Sequence, residues 1–392
     1  MANDMTYDQI AATLNEINKQ VTGEETIAPV NTSEFITVAQ TILKTGYDPV
    51  MQAISQIMHR TIYSARNFDP KVDFLRVSNE RYGNHVRKVN YLDSDLTEDV
   101  RYDLTDGQSV DQYVVKSPKV VQTNFYGVET YEKALTIFGD QLDAAFSNPD
   151  ELGSFWSGAL TNVNNQLNMT KDTTARMIMA NFIAGKISAD SGNVLHLVTM
   201  YNGEAGTELD SETVLQDGNF EPFAKWLYAT IQTVCDLMTE RTIKYHINLA
   251  DKNIPRHTPY ARQRLTLLGG VMNKITSIVL SSVFNDDKLK MASFNKVNFW
   301  QSIDSPSEIK VSAANVLNSA TGAITQTSAV NNAHIIGMIT DEETMGYTIV
   351  NQKTTVTPYN ARGDFFNQYW KGAYRYWNDF TENGIVFYMS DN

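Results

Sequence analysis

Apolar residues at Ile10, Leu14, Ile17 and Val21 recur at spacings of three and four, which predicts a short amphipathic helix. A second begins near Thr32 or Ser33, carries Phe35, Val38, Ala39 and Ile42 on one face, and should stop at Gly46. Asp48 followed by Pro49 signals a third start, since the Asp oxygen accepts from free amides while proline at N1 loses no bond. Its face would be Val50, Ile54, Ile57, Met58 and Ile62. From Phe74 to Phe138 the pattern turns to alternating β-branched and aromatic residues, with Val86, Val89 and Tyr91 on one arm and Val120 through Ile137 on the other. This predicts a long two-stranded excursion. Between the arms, the carboxylate-rich stretch Asp93 to Gly107 holds too few apolar residues to build a core and reads as a projecting tip.

Asn148-Pro-Asp-Glu supplies an N-cap, proline at N1 and a Glu at N3. Leu152, Phe155, Leu160, Val163, Leu167, Ile178 and Phe182 then keep helical spacing as far as Ala184 and Gly185, where a glycine stop is expected. Uninterrupted, that is a rod about 54 Å long, which implies an elongated subunit. Beyond it the pattern predicts a strand at Val194 to Tyr201, a helix opened by Glu221-Pro222, and strands at Ile243 to Leu249, Leu265 to Leu268 and Ile335 to Ile339. A further helix is expected near Asn273 to Phe284, and the Ala, Ser, Thr and Asn-rich stretch Val311 to Asn332 reads as a loop. The mixture is an α+β pattern. Rings crowd the C-terminal region from Tyr359 to Tyr388, and their number together with Ile385 and Val386 points to a core rather than a stacking platform. Asn383-Gly384 predicts a turn before a terminal strand at Ile385 to Met389.

Composition narrows the class without naming a function. Of 392 residues 42% are hydrophobic and 10% aromatic, which fits a folded chain and excludes a disordered one. One cysteine, Cys235, leaves no intramolecular disulfide and fits a reducing compartment. A net charge of −13 argues against a surface built to neutralise DNA phosphates. The N-terminal residues show neither a cationic nor an apolar region of a signal peptide, so Asn31-Thr-Ser and Asn168-Met-Thr read as accidental sequons. No apolar run reaches the roughly 18 residues that a membrane span needs.

Chemistry finds little purchase. Neither GxGxxG nor GxxxxGK[ST] is present, HExxH is absent, and the six histidines are scattered. Cys235 with His196 or His246 as base would be a nucleophile pair centring an intracellular hydrolase, yet the cysteine lies beside an apolar helical stripe, where a thiol acts as a small hydrophobe. Asp341-Glu-Glu reads as a solvated turn rather than a metal cluster, and Arg362-Gly-Asp as a tight turn into the aromatic segment. No cofactor, metal site or catalytic residue is assigned.

The order of elements resembles the major capsid protein of tailed bacteriophages, the Johnson fold. The segments His334-Ile-Ile-Gly-Met-Ile-Thr-Asp-Glu-Glu-Thr-Met-Gly and Arg362-Gly-Asp-Phe-Phe-Asn-Gln-Tyr-Trp-Lys-Gly-Ala-Tyr-Arg-Tyr-Trp-Asn-Asp-Phe are similar to capsid proteins of small podoviruses of Gram-positive hosts. The resemblance implies a helical N-arm at 1–72, an E-loop hairpin at 73–138, and a peripheral domain with its spine helix at 139–187. An axial domain at 188–343 and returning strands of the peripheral domain at 344–392 complete it. It further implies a non-enzymatic shell protein, made in the host cytoplasm and residing in the virion. Its partners would be itself, as hexamers and pentamers around double-stranded DNA, with a scaffolding protein and a portal, and no membrane. The N-terminal region makes no long coiled coil, which is why the scaffold is expected to be separate, and no crosslinking Lys–Asn pair is assigned. An acidic balance suits such a shell, because a basic inner wall would grip the genome. Another virion component, a minor head or tail-tube protein, shares the composition and the lack of chemistry. For contacts between subunits the expectation is that Asp93, Asp95, Glu98 and Asp99 of the tip meet a basic surface on a neighbour formed by Arg256, Arg262 and Arg264.

Overall fold

The computed structural model describes residues 7–22, 32–44, 46, 48–50, 52–53, 70–77, 86–93, 99–115, 117–147, 149–189, 192–216, 218–249, 254–274 and 293–390. Helices α1 (Tyr7–Thr22) and α2 (Thr32–Lys44) form where the apolar spacing places them, and Gly46 at φ +100° follows α2 with its N–H on the Leu43 carbonyl. Residues 48–50 and 52–53 are helical, and the rest of the third expected helix lies outside the described residues. The excursion proves shorter than the alternation suggests. Strand β1 (Val86–Tyr91) pairs antiparallel with β2 (Val120–Phe125), and after Tyr126 the chain continues as β3 (Gly127–Phe138) in another sheet. Alternation runs through both strands because each has one sheltered face, so period alone does not mark where the partner changes.

Short helix α3 (Gly139–Ala145) precedes α4 (Pro149–Ala189), which starts at the expected proline but runs four residues past Gly185. Gly185 is not a stop. A Cβ there would lie 2.5 Å from the Phe380 ring and 3.2 Å from the Asn315 carbonyl, so the glycine makes room for Phe380, which stacks on Phe182 at 5.6 Å. The expected strand at 194–201 divides into β4 (Val194–His196) and helix α5 (Leu197–Ala205), which buries Leu197, Val198 and Tyr201 and ends at Gly206, φ +66°. Helix α6 (Phe220–Thr239) buries Phe223, Leu227, Ile231, Val234 and Met238, while Trp226 and Leu237, which the apolar spacing puts on the same stripe, are half-buried and exposed.

Residues 243–249 form no strand. A single bridge joins Thr242 to Arg256, and Tyr245, His246 and Ile247 are buried consecutively on irregular backbone held by Phe380 and Gly384. Strands β5 (Gln263–Leu268) and β6 (Ser293–Val297) follow; residues 271–274 are helical, and the remainder of that expected helix is outside the described residues. The stretch read as a loop at 311–332 carries two small ribbons. Strand β7 (Ile309–Val311) pairs with β10 (Val330–Asn332), and β8 (Asn315–Leu317) with β9 (Ile324–Gln326). Buried Ala314, Val316 and Val330 anchor them, too few apolar groups to stand out in a polar stretch. Strands β11 (Ile335–Asp341), β12 (Met345–Val356), β13 (Phe365–Asn378) and β14 (Gly384–Tyr388) complete the chain.

Two compact units result. The first comprises residues 1–82, 128–175 and 347–375, the second 83–127, 176–346 and 376–392. In the first, the sheet β12-β13-β3 turns Phe366 and Trp370 into a core with Leu14 and Ile17 of α1, Ile42 of α2, and Val163 and Leu167 of α4. Arg362-Gly-Asp is a tight turn there, with Asn360 Oδ1 accepting from the Arg362 and Gly363 amides at 3.1 Å each and Asp364 at φ +50°. In the second unit the sheet runs β4-β14-β11-β5-β6, antiparallel at β11 and parallel at β14–β4 and β5–β6. Every residue of central β11 is buried, which is why it reads as a continuous apolar run. Helices α5 and α6 cover this sheet in a core with Leu265, Ile339, Ile385 and Phe387. Among the described residues no helix is long and apolar enough to cross a membrane.

Candidate functional site

The hairpin β1–β2 and the loop that joins its strands belong to the second unit, and polar and apolar groups are mixed on both faces of the hairpin. On β1 the sheltered positions are Val86, Lys88 and Asn90, while Val89 and Tyr91 face solvent. On β2, Val120, opposite Tyr91, is exposed, and Val121 and Phe125 are half-buried. No described residue from 86 to 125 is fully buried.

Local bonds fold the loop. Asp99 caps a short helical turn at Val100–Tyr102 by accepting from the Arg101 amide at 3.1 Å, and its other oxygen takes the Arg101 guanidinium at 2.7 Å. That side-chain bond, with the backbone one, holds the Asp99 carboxyl below its ordinary range. Gly107 turns the chain at φ +87°, the left-handed region that a side chain resists, and Asp111 accepts from the Tyr113 amide at 2.9 Å. The surface so displayed is apolar as well as acidic. Tyr102, Tyr113 and Val115 are 85%, 81% and 85% exposed, with Val110 and Val114 also out. Several large apolar groups left exposed on one loop are more than the scattered single ones of an ordinary surface. The Tyr113-Val114-Val115 run was the sequence signal for this, overshadowed by the carboxylates before it.

The charged residues singled out in the sequence are largely engaged within the chain. Arg241 donates to both oxygens of Asp93, at 2.6 Å to Oδ1. Asp95 and Glu98 lie outside the described residues. Arg256 bonds the Asn90 amide oxygen at 3.2 Å, the Thr381 carbonyl at 3.1 Å and the Glu382 carboxylate at 3.1 Å. Arg262 pairs with Asp341, Glu342 and Glu343; burial opposes its charge, but the bond to Glu343 and the field of the three carboxylates raise its pKa. The turn expected at Asp341-Glu-Glu is present, with Asp341 itself buried. Arg264 is half-buried, and desolvation, outweighing Glu342 and Asp341, lowers its pKa. Thus the structure brings Asp93 to Arg241 and Asp99 to Arg101, Arg256 to Glu382, and Arg262 to Asp341, Glu342 and Glu343.

The thiol of Cys235 lies in the core of α6, where burial, with Asp236 beside it, pushes its pKa up to about 11. His196 Nδ1 pairs with the Ser390 hydroxyl, and His246 Nδ1 meets Asn383 Oδ1 at 3.1 Å; burial pulls His246 down to about 4. These contacts occupy the two candidate bases with partners other than sulfur. Among the described residues no group of three or more His, Cys, Asp or Glu is placed to hold a metal ion.

Residues 10–388 match the family model described as Phi29-like phage major capsid protein. No curated protein matches the chain. Among solved structures, one of the capsid of Staphylococcus phage Andhra is similar at 9% identity, with TM-score 0.55, 83% of this chain and 86% of that one covered. A chain in a structure of head fibre and inner core protein of native bacteriophage P68 is similar to the same degree, 9% identity and TM-score 0.55, with coverage of 83% and 86%. At that identity the likeness concerns the fold alone.

Proposed function

The chain belongs to the Phi29-like phage major capsid protein family and is a head-shell protein, and from this we propose that it closes the shell as hexamers and pentamers around double-stranded DNA, using the hairpin loop 92–119 as its contact with a neighbouring subunit. Of the readings open in the sequence, the family match favours this one over a minor head or tail-tube protein. The observation that carries the contact is the exposure of Tyr102, Tyr113 and Val115 on a loop none of whose described residues is buried. An isologous or heterologous contact with a second copy covers such a surface, and closed symmetry repeats it.

In this reading the work of the protein is association rather than catalysis. A separate scaffolding protein and a portal would guide assembly, the DNA would lie near the inner wall without specific contacts, and the subunit would wait in the host cytoplasm. The first compact unit supports an assignment as N-arm plus peripheral domain and the second as axial domain with the E-loop, although 128–138, expected in the E-loop, belong to the first unit and 176–187 and 376–392, expected in the peripheral domain, to the second. The acidic groups Asp93, Asp95, Glu98 and Asp99 would set the register of the contact against a basic surface including Arg256, Arg262 and Arg264. Because Arg256 and Arg262 already hold carboxylates of their own chain, the apolar side chains contribute most of the attraction.

The test is sedimentation velocity with negative-stain imaging on two variants co-expressed with the phage assembly proteins. Tyr102→Ser/Tyr113→Ser/Val115→Ser should abolish closed shells while the unassembled subunit keeps its circular dichroism. Reversing the four acidic residues to Lys should reduce shell yield and salt resistance without abolishing them. Shells of wild-type yield from the serine variant, or rings and tubes from the wild type, would contradict the proposal.

A further inference from the structure

The hairpin that displays this loop is held to its own unit by charge. Lys88 points from the sheltered face of β1 into a pocket of carboxylates: its Nζ lies 3.0 Å from Asp379 Oδ2, bonds Glu382 Oε1, and lies 3.2 Å from Glu343 Oε2. One residue pair further along β1, the Asn90 amide oxygen accepts from Arg256, and Arg256 also grips Glu382 at 3.1 Å. The Lys88, Asp379 and Glu382 side chains are all largely or wholly shielded from solvent. Burial disfavours the Lys88 ammonium, yet Asp379 and Glu382 outweigh it and raise its pKa, whereas burial dominates at Glu382 and raises its pKa despite Lys88 and Arg256.

The carboxylates sit on a loop that is itself fixed from several sides. Asp379 Oδ1 accepts from the Thr381 amide at 2.9 Å, the Asp379 amide donates to the Thr344 carbonyl at 2.7 Å, and the Phe380 carbonyl accepts from Ile247 at 2.9 Å. Arg256 Nε donates to the Thr381 carbonyl, and Asn383 Nδ2 to Thr258. A two-stranded hairpin is marginal alone in water, and this one contributes no buried apolar residue among those described. Its direction is therefore defined by polar contacts, of which Lys88 in this rigid receptor is the most shielded, with Arg256 on Asn90 and Arg241 on Asp93 beside it.

We propose that Lys88, seated between Asp379 and Glu382 with Arg256 alongside, is a positioning residue that locks the β1–β2 hairpin onto its unit and so aims the loop 92–119 at the neighbouring subunit. The aiming half rests on the contact proposed above; the lock does not.

Hydrogen exchange followed by mass spectrometry on the full-length unassembled subunit reads the lock directly. In Lys88→Met, peptides covering 86–91 and 120–125 should exchange about tenfold faster or more, while those covering β11 and β14 keep their rates. Lys88→Arg, which keeps the cation, should stay near wild type. Lys88→Met/Asp379→Asn removes one charge of each sign, so it should regain the melting temperature that Lys88→Met loses, yet its hairpin should still exchange fast. That separates positioning from general stability and carries the test if the single variant fails to fold. Wild-type exchange of the hairpin in the double variant, or loss of protection spread evenly over the second unit, would overturn the proposal. A fast-exchanging hairpin together with shells of wild-type yield would overturn the aiming half and leave the lock standing, while the loop contact itself stands or falls with the serine variant.

Discussion

Trp370→Ala should lower the unfolding free energy of the unassembled subunit by about 3–5 kcal/mol, the cost of emptying a buried indole site that its neighbours only partly refill. Trp370 is 3% exposed on β13 and faces the first unit's core, in a cluster with Leu14, Ile17, Ile42 and Leu167. Its indole N–H has no partner among the described residues. Trp370→Phe therefore removes an unpaired donor along with part of the ring, and the two effects offset, so its loss should be about 1–2 kcal/mol. Trp377, on the same strand, is only half-buried, with its N–H reaching the Glu343 carbonyl at 3.4 Å. Its replacement by Ala should cost about 1–2 kcal/mol, less than for a fully buried ring. Urea titration followed by far-ultraviolet circular dichroism ranks the three. Equal midpoints for Trp370→Ala and wild type would remove the aromatic strand from the core.

Lys186→Met should have the opposite sign, stabilising the subunit by about 1–4 kcal/mol at pH 7. Lys186 is fully buried on α4, its Nζ donating to Asn193 Oδ1 at 2.9 Å and lying 5.5 Å from the Phe182 ring centre. Burial pulls its pKa down to about 7, against the opposing field of Asp379. In the unfolded chain the lysine titrates near 10.5. Between pH 7 and 10.5 the unfolded state thus holds a proton that the folded state lacks, and stability rises with pH across that window. The group's contribution is complete above 10.5 and is lost as pH falls towards 7, below which both states are protonated and the cost is constant. The advantage of Lys186→Met should accordingly be largest at pH 7 and shrink towards pH 10, by at most about 1.4 kcal/mol per unit. A difference between the two proteins that stays constant from pH 7 to 10 would show that the ammonium is not desolvated.

These two residues mark what a one-dimensional pattern conveys. Trp370 was legible as core because it stands in a stretch crowded with rings and followed by the apolar strand Ile385 and Val386. Lys186 was not, since a lysine, even on the same helix face as Phe182, ordinarily extends its stem to bring the ammonium to solvent. The apolar face of α1, the starts of α2 and α4 and the strands β11 and β14 stood in the text, because helical spacing, caps, proline and apolar runs are local signals. Partner choice is not local. The same alternation serves β2 in a hairpin and β3 in a three-stranded sheet, and Gly185 spells a helix stop until Phe380, 195 residues on, occupies the space beside it. The site was half legible for a related reason. Carboxylates in the tip announced a projecting loop, but Tyr102, Tyr113 and Val115 are ordinary core residues in a sequence, and only their placement on an unpacked loop makes them a surface. Lys88 likewise reads as the outward residue of an alternating strand and turns out to be the inward one.

Photo-crosslinking from the tip tests the central claim most directly. A benzophenone amino acid placed at Val115, which is exposed on the loop, is irradiated in assembled shells and in the dissociated subunit, and the products are separated on a denaturing gel. The account predicts covalent dimers and a ladder of higher species from shells and only monomer from the dissociated subunit, with the linked peptide belonging to a second copy of the chain. Monomer alone from both samples, or a linked peptide from another phage protein, would contradict it.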